Sequence, residues 1–552
     1  MAHLICPTPA IPGAGEAPAI PDVSLAPETK EAAATTAANG QAGTSRAPKS
    51  ILIIGSGVFG LSTAHALARR PEIRADTRIT VVDRSPEPGE FPARDAASID
   101  SSRIIRADYA DGAYASLAGE AHAHWRRDPD DPDSLGGDGR YNESGLLLAA
   151  ENGNGGDGAT VRSDGHPTGL GYTRRSWVNA LALAHAEGRS LQSVRLLSAP
   201  YAIRRATGTG GEWADWGYLN TAAGWADAER SMKWLYEKVV ATGRVTFVNG
   251  TVEALETQQV SEKGPRVTGA RLADGRSFTA DLVIVAAGAW TPTIVDLAGS
   301  AVATGQCVAY LRITDEEEAK LAQLPVCLNL TDGCFVIPPR DGVLKVARHS
   351  YGYLNPQPVS QEPLKSSPVK DGDENSEIND SQPAAAKTIS QPRTHLTDPA
   401  LSIPAEGTSD LRRALGRMIP WLADRPFFKT RLCWYTDTPT GDWIIDYHPG
   451  YKNLFVATGG SGHGFKFLPI LGDKVVDCLL GRCPTAFREK WKWKGGVGIN
   501  GNATTNTKET PGGQENLEAD IAVELSVVTE DGSRGGKPGL ILGEEMAKDG
   551  KS

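Results

Sequence analysis

A glycine-rich loop near residue 55 has residue types and a spacing that suit the binding of a dinucleotide. Gly55, Gly57 and Gly60 follow a short apolar run and open a segment of helical periodicity, in the pattern GxGxxG. The first two glycines permit a tight turn and a close approach of backbone to a pyrophosphate, and the third lets a helix pack closely on a strand. Asp83 ends the next apolar run, where its carboxylate can accept hydrogen bonds from both ribose hydroxyls and would repel the extra phosphate of NADP. The pattern predicts a dinucleotide site without distinguishing NAD from FAD.

Two further pairs of side chains have spacings that would place them on one face of an element. Arg103 and Arg106 would share a face if their segment were helical, and a guanidinium fork suits a planar carboxylate better than an ammonium does. Lys345 and His349 would point to the same side of a strand. Taken alone, the arginine pair is more typical of a solvated basic face, and the lysine of a side chain that reaches out from a sheet edge.

Short apolar segments must position these residues. Residues 51–54 predict a buried strand, residues 58–69 a helix and residues 78–82 a second strand, which together begin a doubly wound sheet. Residues 282–286 and 454–457 predict two more buried strands, each followed by glycine. A nucleotide-binding sheet that long insertions interrupt would give this order, so the predicted fold class is α/β.

Five segments of the chain resemble the family of monomeric sarcosine oxidase, fungal pipecolate and saccharopine oxidases, and fructosyl amino acid oxidases. In chain order they are residues 101–106 (SSRIIR), 224–228 with 248–252, 285–290 (VAAGAW), 345–349 (KVARH) and 433–467, which contains CWYTDTP and GGSGHGFKF. The resemblance covers roughly residues 48–350 and 400–490. It implies FAD rather than NAD, and a Rossmann-like, doubly wound FAD-binding domain beside a substrate (catalytic) domain built on a mixed sheet.

The resemblance also implies roles for individual residues. Cys433 matches the cysteine whose sulfur bonds the 8α carbon of the flavin, and Arg106 and Lys466 match the cations that bind the substrate carboxylate. Lys345 matches a lysine over the flavin whose charge helps oxygen to accept an electron. The catalytic residues that the resemblance implies are Arg106, Lys345, His349, Tyr435 and Lys466. For Cys433 the alternative is a buried structural thiol, and for Tyr435 it is core packing.

The glycine motif and the resemblance together assign a set of residues to cofactor binding. They are Gly55, Gly57, Val58, Phe59, Gly60, Asp83, Arg84, Ser102, Arg103, Val252, Ala287, Gly288, Trp290, Cys433, Gly460, Gly462, Gly464, Phe465 and Lys466. Val252 matches a residue whose backbone touches the adenine, although a core valine would fit the same position. A helix expected over residues 468–480 would point its N-terminus at the flavin N1–C2 carbonyl.

These assignments predict an FAD-dependent oxidase that acts on the carbon–nitrogen bond of a secondary or N-alkylated amino acid and yields an imine and hydrogen peroxide. The alternatives are a fructosyl amino acid oxidase, a tailoring oxidase of a natural-product precursor, a dehydrogenase that passes electrons to a protein acceptor, and a flavoprotein kept as a binding module. The patterns at residues 345–349 and 461–466 are closer to the sarcosine and pipecolate oxidases than to the fructosyl group.

Composition sets the remaining expectations. The chain has 552 residues and a net charge of −10, which gives no reason to expect nucleic acid as a partner, and its apolar runs are too short to cross a membrane. Seven cysteines without a CxxC pair favour a reducing compartment and argue against a metal site. We therefore expect an intracellular monomer, cytoplasmic rather than peroxisomal, whose partners are a small amino acid substrate and oxygen.

The resemblance and the order of the apolar segments imply a division of the chain into domains. Residues 49–110, 215–295 and 430–490 are expected to form a discontinuous FAD-binding domain, and residues 111–214 and 296–429 the substrate domain. Polar sequence rich in Gly or Pro predicts disorder for residues 1–48, for an insertion at about 355–395 and for residues 495–552. A short strand is expected within that last tail, at residues 521–528.

Overall fold

The computed structural model of the chain describes residues 48–85, 87, 89–153, 158–260, 264–359, 364, 388–494 and 528–550. In these ranges the strands are β1 Ser50–Ile54, β2 Arg78–Asp83, β3 Arg103–Ile105, β4 Tyr141–Asn142, β5 Leu146–Ala150, β6 Val194–Leu197, β7 Trp216–Asn220, β8 Gly224–Ala226, β9 Val245–Asn249, β10 Val252–Gln258, β11 Arg266–Leu272, β12 Ser277–Thr279, β13 Leu282–Val285, β14 Val302–Arg312, β15 Val326–Asn329, β16 Cys334–Arg340, β17 Val343–Arg348, β18 Tyr353–Leu354, β19 Pro356–Pro358, β20 Thr388–Ser390, β21 Phe427–Asp437, β22 Ile444–Tyr447, β23 Leu454–Thr458 and β24 Leu540–Ile541. The α-helices are α1 Val58–Arg69, α2 Gly112–Arg126, α3 Gly169–Ala186, α4 Pro200–Thr207, α5 Ala228–Ala241, α6 Thr291–Ile294, α7 Asp315–Leu321, α8 Ala405–Met418, α9 Leu468–Leu479 and α10 Leu542–Lys548.

A six-stranded sheet carries the glycine-rich loop. Its order is β22-β23-β13-β1-β2-β9, with β1 parallel to both β13 and β2 and with β22 antiparallel at one edge. All four strands predicted from the short apolar runs lie in it, and the helix predicted over residues 58–69 is α1. Helices α1 and α9 pack so closely that a Cβ on Gly472 would lie 1.9 Å from the carbonyl oxygen of Ser62. The doubly wound α/β sheet is thereby confirmed.

A second, mixed sheet has the order β24-β18-β14-β17-β16-β15-β5-β7-β6, and β21 pairs with β14. The long strand β14 lies between β21 and β17, and its register sets Gln306 opposite Cys433 and Tyr310 opposite Lys345. The fold therefore places Cys433 on β21 and Lys345 on β17, the two strands that flank β14.

The structure decides the local conformation of two segments. Residues 103–105 are extended, so the condition under which Arg103 and Arg106 would share a helix face is not met; β3 pairs with β8 in a small three-stranded sheet with Arg103 opposite Ala226. Residues 224–226 form β8, and α5 begins only at Ala228, where the Asp227 side chain accepts a hydrogen bond from the N–H of Arg230.

The expected domain boundaries also differ from the observed sheets. Trp216–Asn220 and Phe427–Asp437 belong to the mixed sheet, although most of their residues had been assigned to the FAD-binding domain. Both segments reach the mixed sheet because their partners, β5 and β14, lie there.

Predicted disorder is wrong for parts of two segments. The ends of the 355–395 insertion pair as β19 and β20, and residues 528–550 pack against the mixed sheet through β24 and α10. In both cases the ordering contacts come from strands elsewhere in the sequence, because β19 pairs with β20 and β24 pairs with β18. The polar composition of the segments gives no sign of these contacts. Residues 1–47, most of the insertion and most of the strand expected at 521–528 lie outside the described ranges. Within the described ranges no helix is long and apolar enough to cross a membrane.

Candidate active site

The turn between β1 and α1 is shaped to admit a phosphate group. Gly55 has a φ of +98°, and a Cβ there would lie 2.5 Å from the carbonyl oxygen of Ala286. A Cβ on Gly60 would lie 1.9 Å from the carbonyl oxygen of Gly55, whereas one on Gly57 would meet nothing within 4 Å. The amide groups that open α1 have no intrahelical acceptor, and its first turn contains no acidic residue. This turn therefore suits an anionic group of a ligand.

A cavity opens beside this turn, and we call it the glycine-lined cavity. The predicted cofactor residues on its wall are Gly55, Gly57, Val58, Phe59, Asp83, Arg84, Arg103, Val252, Ala287, Gly288, Trp290, Gly460, Gly462, Gly464 and Phe465. Gly60 lies behind the turn, against Gly55, and its role is the close packing that the motif predicts.

Asp83 and Arg84 lie at the C-terminal end of β2, on the wall of the glycine-lined cavity. Asp83 Oδ2 accepts hydrogen bonds from the backbone N–H of Ser56 at 2.9 Å and from its Oγ atom at 2.5 Å, and Oδ1 accepts from the N–H of Arg84 at 2.7 Å. These bonds orient the carboxylate and leave Oδ1 a lone pair for a ribose hydroxyl. The guanidinium of Arg84 lies 3.9 Å from the centroid of the Trp290 ring and pairs with Asp95 at 2.8 Å, so it is fixed on the same wall.

A second cavity, which we call the cation cavity, adjoins the first. Its wall includes the predicted residues Ser102, Arg103, Arg106, Lys345, His349, Cys433, Tyr435, Gly462, Phe465 and Lys466. Four of them, Arg103, Tyr435, Gly462 and Phe465, also line the glycine-lined cavity. The thiol, the two lysines and the arginine that the resemblance implies therefore lie around one space.

Cys433 lies on β21 beside a guanidinium. Its Sγ atom accepts a contact from Nη2 of Arg103 at 3.4 Å, and the side chain is 2% exposed. The thiol therefore lies within contact of a cationic side chain on the wall of the cation cavity.

Lys345 is paired with Asp100, a carboxylate that sequence analysis missed. The Lys345 Nζ atom donates to Oδ2 of Asp100 and to the carbonyl oxygen of Ser102, both at 2.7 Å. Burial lowers the pKa of Lys345 to about 8, against the attraction of Asp100. Burial would raise the pKa of Asp100, but the facing cations Lys345, Arg103 and Arg431 hold it well below its ordinary value. At neutral pH the structure therefore holds a fixed ion pair here.

Arg106 and Lys466 have no such partner. No carboxylate of the described residues lies within 4.0 Å of either cation, and Lys466 Nζ donates only to Tyr109 Oη at 2.9 Å and to the carbonyl oxygen of His463 at 3.0 Å. The guanidinium of Arg106 donates to the carbonyl oxygen of Asp108. Burial, followed by the charge of Arg106, lowers the pKa of Lys466 well below its ordinary value. An anion bound between these two groups would stabilise the charged form of Lys466 and so raise its pKa.

Two histidines complete the wall and are uncharged. Burial lowers the pKa of both His349 and His463 well below the ordinary value. His463 Nε2 faces the carbonyl oxygen of Gly441 at 2.8 Å and must donate to it, so Nδ1 accepts from Tyr109 Oη at 3.0 Å. His349 lies with its ring centroid 5.8 Å from that of Tyr435. The polar chain from Lys466 through Tyr109 to His463 was not predicted, because the sequence around Tyr109 carries no motif.

A third cavity, the outer cavity, continues from the cation cavity. It has a volume of about 310 Å³ and shares Arg106, His349 and His463 with its neighbour. Three tyrosines, Tyr109, Tyr114 and Tyr172, contribute aromatic surface to it. A small organic molecule whose anionic end lies at Arg106 would extend into this space.

Comparison with known proteins assigns the chain to a family. The model of the DAO family, described as FAD dependent oxidoreductase, matches residues 50–478, and the chain belongs to this family. The amino acid oxidase imqH of Aspergillus flavus is 34% identical over 469 residues, which cover 79% of this chain and 93% of that protein. L-saccharopine oxidase of Schizosaccharomyces pombe is 28% identical over 454 residues, 81% of this chain and 93% of that protein.

A solved structure agrees with this assignment. A modified fructosyl peptide oxidase from Aspergillus nidulans superposes with a TM-score of 0.65 and 26% sequence identity, covering 82% of this chain and 95% of that one. The protein is therefore an FAD-dependent oxidoreductase. The close packing at Gly55 and Gly60, the open position at Gly57 and the oriented carboxylate of Asp83 fit the diphosphate and ribose of that cofactor.

Proposed function

We propose that the protein oxidises a secondary or N-alkylated amino acid at the carbon–nitrogen bond, with FAD bonded to Cys433 and oxygen as the electron acceptor. The products would be an imine and hydrogen peroxide. One observation carries the proposal: Arg106 and Lys466, unpaired with any described carboxylate, face the cavity that also exposes Cys433 and Lys345. The name of the saccharopine oxidase relative supports it, because saccharopine is a secondary amine.

The side chains around the cation cavity have separable tasks. The residues that would hold FAD are those on the glycine-lined wall, with Cys433 on the adjoining wall of the cation cavity. When bound, the flavin supplies an acceptor for the hydride equivalent that the substrate carbon loses. Arg106 and Lys466 would fix the substrate carboxylate and so hold that carbon in one orientation, which converts an encounter into a positioned transfer.

The same cations would favour the reactive form of the substrate. Positive charge near an ammonium lowers its pKa, and only the neutral amine can release electrons to an acceptor. The neutral imidazoles of His349 and His463 add no further positive charge. Lys345 would present a cation where oxygen is reduced, and Asp100 would hold its Nζ atom in place.

A fructosyl amino acid or peptide is the second candidate substrate, because fructosyl peptide oxidases are among the solved structures that superpose on this chain. Such a substrate also has a secondary amine, so the cation cavity alone does not separate the two. Peroxide release from sarcosine, pipecolate and N-methyltryptophan should be compared with release from fructosyl-lysine and fructosyl-valine. We expect the first group to give the higher kcat/KM; turnover of the fructosyl compounds alone would replace our proposal with the alternative.

The covalent link has a direct test. Purified protein denatured in acid should keep its yellow colour on the polypeptide, because a thioether survives loss of the fold. The Cys433→Ala variant should release the colour into the filtrate, whereas Cys483→Ala, which removes a thiol outside the three cavities, should not. Free flavin from the unaltered protein would refute the linkage while leaving the amine oxidase proposal open.

A further inference from the structure

The C-terminal segment from residue 528 to residue 550 is anchored along its length. Gly535 forms a parallel bridge with Ser350, and its N–H donates to the carbonyl oxygen of His349 at 3.1 Å. β24 then extends the mixed sheet beside β18, and α10 inserts Leu542 and Met546 into the hydrophobic core. The segment is thus part of the folded domain.

A buried ion pair fixes this segment beside the cavities. Arg534 is 6% exposed, and its Nη2 atom donates to Oδ1 of Asp437 at 2.5 Å and to the carbonyl oxygen of Ser461 at 3.0 Å. Asp437 ends the strand that carries Cys433, and Ser461 belongs to the loop between Gly460 and Gly462 on the glycine-lined wall. The position of the segment is therefore tied to the position of the cofactor loop.

Four residues of this segment, Thr529, Asp531, Ser533 and Arg534, line the outer cavity. The Asp531 carboxylate accepts hydrogen bonds from the N–H of Ser533 at 2.8 Å and from its Oγ atom at 2.5 Å, so its orientation is set. No cation of the described residues lies within 4.0 Å of it. Asp531 consequently presents an uncompensated negative charge to the cavity.

Most other charges on the outer cavity are compensated. Lys490 pairs with Asp111 at 2.8 Å and lies 3.7 Å from Asp442, and Arg534 pairs with Asp437. Arg175 is exposed at the rim, where water screens it. Among the described residues the cavity system is therefore polarised, because Arg106 and Lys466 lack a carboxylate within 4.0 Å and Asp531 of the C-terminal segment lacks a cation within that distance.

We propose that Asp531 is a specificity-determining residue, which favours substrates with a cationic or neutral distal end and disfavours those with a second anionic group. The inference rests on the proposed function, because it takes Arg106 and Lys466 as the anchor of the substrate carboxylate. A ligand held there by its carboxylate would extend into the outer cavity, where the field of Asp531 acts on its other end.

Three unreactive probes of equal chain length test this charge preference without turnover. They are pentanoate, glutarate and 5-aminopentanoate, which share one carboxylate and differ in the charge of the far end. Isothermal titration of the flavin-containing full-length protein should give affinities in the order 5-aminopentanoate, pentanoate, glutarate. We expect steps of about fivefold, the upper range for a partly exposed charge pair.

Two variants and one control distinguish an effect of the Asp531 charge from a general effect on the fold. Asp531→Asn should bring the three affinities within about twofold of one another, and Asp531→Lys should reverse their order. Glu530→Gln is the matched control, because the Glu530 carboxylate pairs with Arg162 at 2.9 Å and with Tyr351 Oη at 2.7 Å and does not line the outer cavity. It should keep the order of the unaltered protein.

The outcomes distinguish the two proposals. If the probes bind and Asp531→Asn leaves their order unchanged, or if glutarate binds best to the unaltered protein, the role of Asp531 is overturned and the anchor stands. If no probe binds, or if binding survives Arg106→Met at full strength, the carboxylate anchor is wrong, and both proposals fall. If Asp531→Asn lowers the midpoint of thermal unfolding, Asp531→Ser is measured in its place, and the same loss of charge preference is expected.

Discussion

Two buried lysines on the wall of the cation cavity differ in one respect, the presence of a carboxylate. Lys345 and Lys466 are 3% and 6% exposed, so both lose most of their hydration. Lys345 is held by Asp100 at 2.7 Å. Lys466 Nζ has the neutral oxygens of Tyr109 and His463 as acceptors and a second cation, Arg106, beside it, and the Asp108 carboxylate acts on it from beyond 4.0 Å. The first lysine is part of a completed network, and under our proposal the second gains a paired carboxylate when substrate binds.

This difference separates structural charge from functional charge. A buried ion that lacks a partner lowers stability, so a folded protein keeps one only where it gains affinity for something else. Under our proposal, Arg106 and Lys466 together bind the planar carboxylate of the substrate. Lys345 keeps a fixed charge that does not depend on whether substrate is present. Each of the following expectations would sharpen this contrast or remove it.

The largest effect should come from Arg106. Arg106→Met removes the guanidinium fork, and we expect kcat/KM for the best amino acid substrate to fall about 100- to 1000-fold, or about 3–4 kcal/mol. The retained flavin should be unchanged, as measured by absorbance. Arg205→Met, which alters an exposed arginine of α4, is the control. A loss under tenfold for Arg106→Met would mean that Lys466 alone holds the carboxylate.

The two lysines should respond in opposite ways to replacement by methionine. Lys345→Met leaves Asp100 with one cation fewer, and we expect unfolding free energy to fall by about 3 kcal/mol, as for a broken buried pair. Lys466→Met removes an uncompensated charge and should leave stability unchanged or raise it. Denaturation midpoints at equal flavin content measure both. Equal losses in the two variants would contradict the contrast drawn above.

A double variant tests whether the unpaired Asp100 carboxylate causes the loss of stability in Lys345→Met. Asp100→Asn combined with Lys345→Met should recover part of the stability lost in Lys345→Met alone, because the pair is then removed as a unit. Recovery will be partial, since Asp100 also accepts from Tyr310 Oη at 2.5 Å and from Arg103.

Sequence patterns anticipated the parts of this site that local segments define. The helix expected over residues 58–69 coincides with α1, and its neighbouring strands are where the apolar runs place them. Each of these elements buries a regular apolar face, so its type follows from its own residues. The glycine positions could be interpreted for the same reason, since their role depends on the backbone of a single turn.

The remaining features depend on contacts between distant segments. Asp100 precedes the SSRIIR segment, but its partner Lys345 is 245 positions away, and no local pattern links them. The spacing of Arg103 and Arg106 would place them on one face only in a helix, and the sequence did not reveal that Arg103 lies on a strand, because the hydrogen bonds come from β8. The polar composition of residues 495–552 predicted disorder and therefore gave no sign of a role for Asp531 and Arg534. This segment is ordered by the ion pair of Arg534 with Asp437 and by hydrogen bonds to the backbone around His349.

Protonation should also distinguish the two lysines. The pKa of Lys466 is lowered well below its ordinary value in the ligand-free protein, and a bound carboxylate raises it again, so binding should draw a proton from solvent. We expect uptake of up to about one proton at a pH above the lowered pKa, decreasing as the pH falls through that pKa, because the free lysine is then already charged. Titration calorimetry in buffers of different ionisation enthalpy measures it. Lys466→Met should abolish the uptake; persistence in that variant would assign the proton to another group.

The smallest effect should come from the hydroxyl that links Lys466 to His463. Tyr109 Oη accepts from Lys466 Nζ at 2.9 Å and donates to His463 Nδ1 at 3.0 Å. Tyr109→Phe keeps the aromatic ring and removes these two bonds, so Lys466 loses one of its two oxygen acceptors. We expect KM for the amino acid to rise about fivefold, or about 1 kcal/mol, with kcat changed less, because the hydroxyl orients the anchor and does not touch the reacting carbon. A fall in kcat larger than the rise in KM would instead place Tyr109 in the chemical step. Tyr114→Phe alters a neighbouring ring whose hydroxyl accepts from Trp491, and it should leave this ratio unchanged.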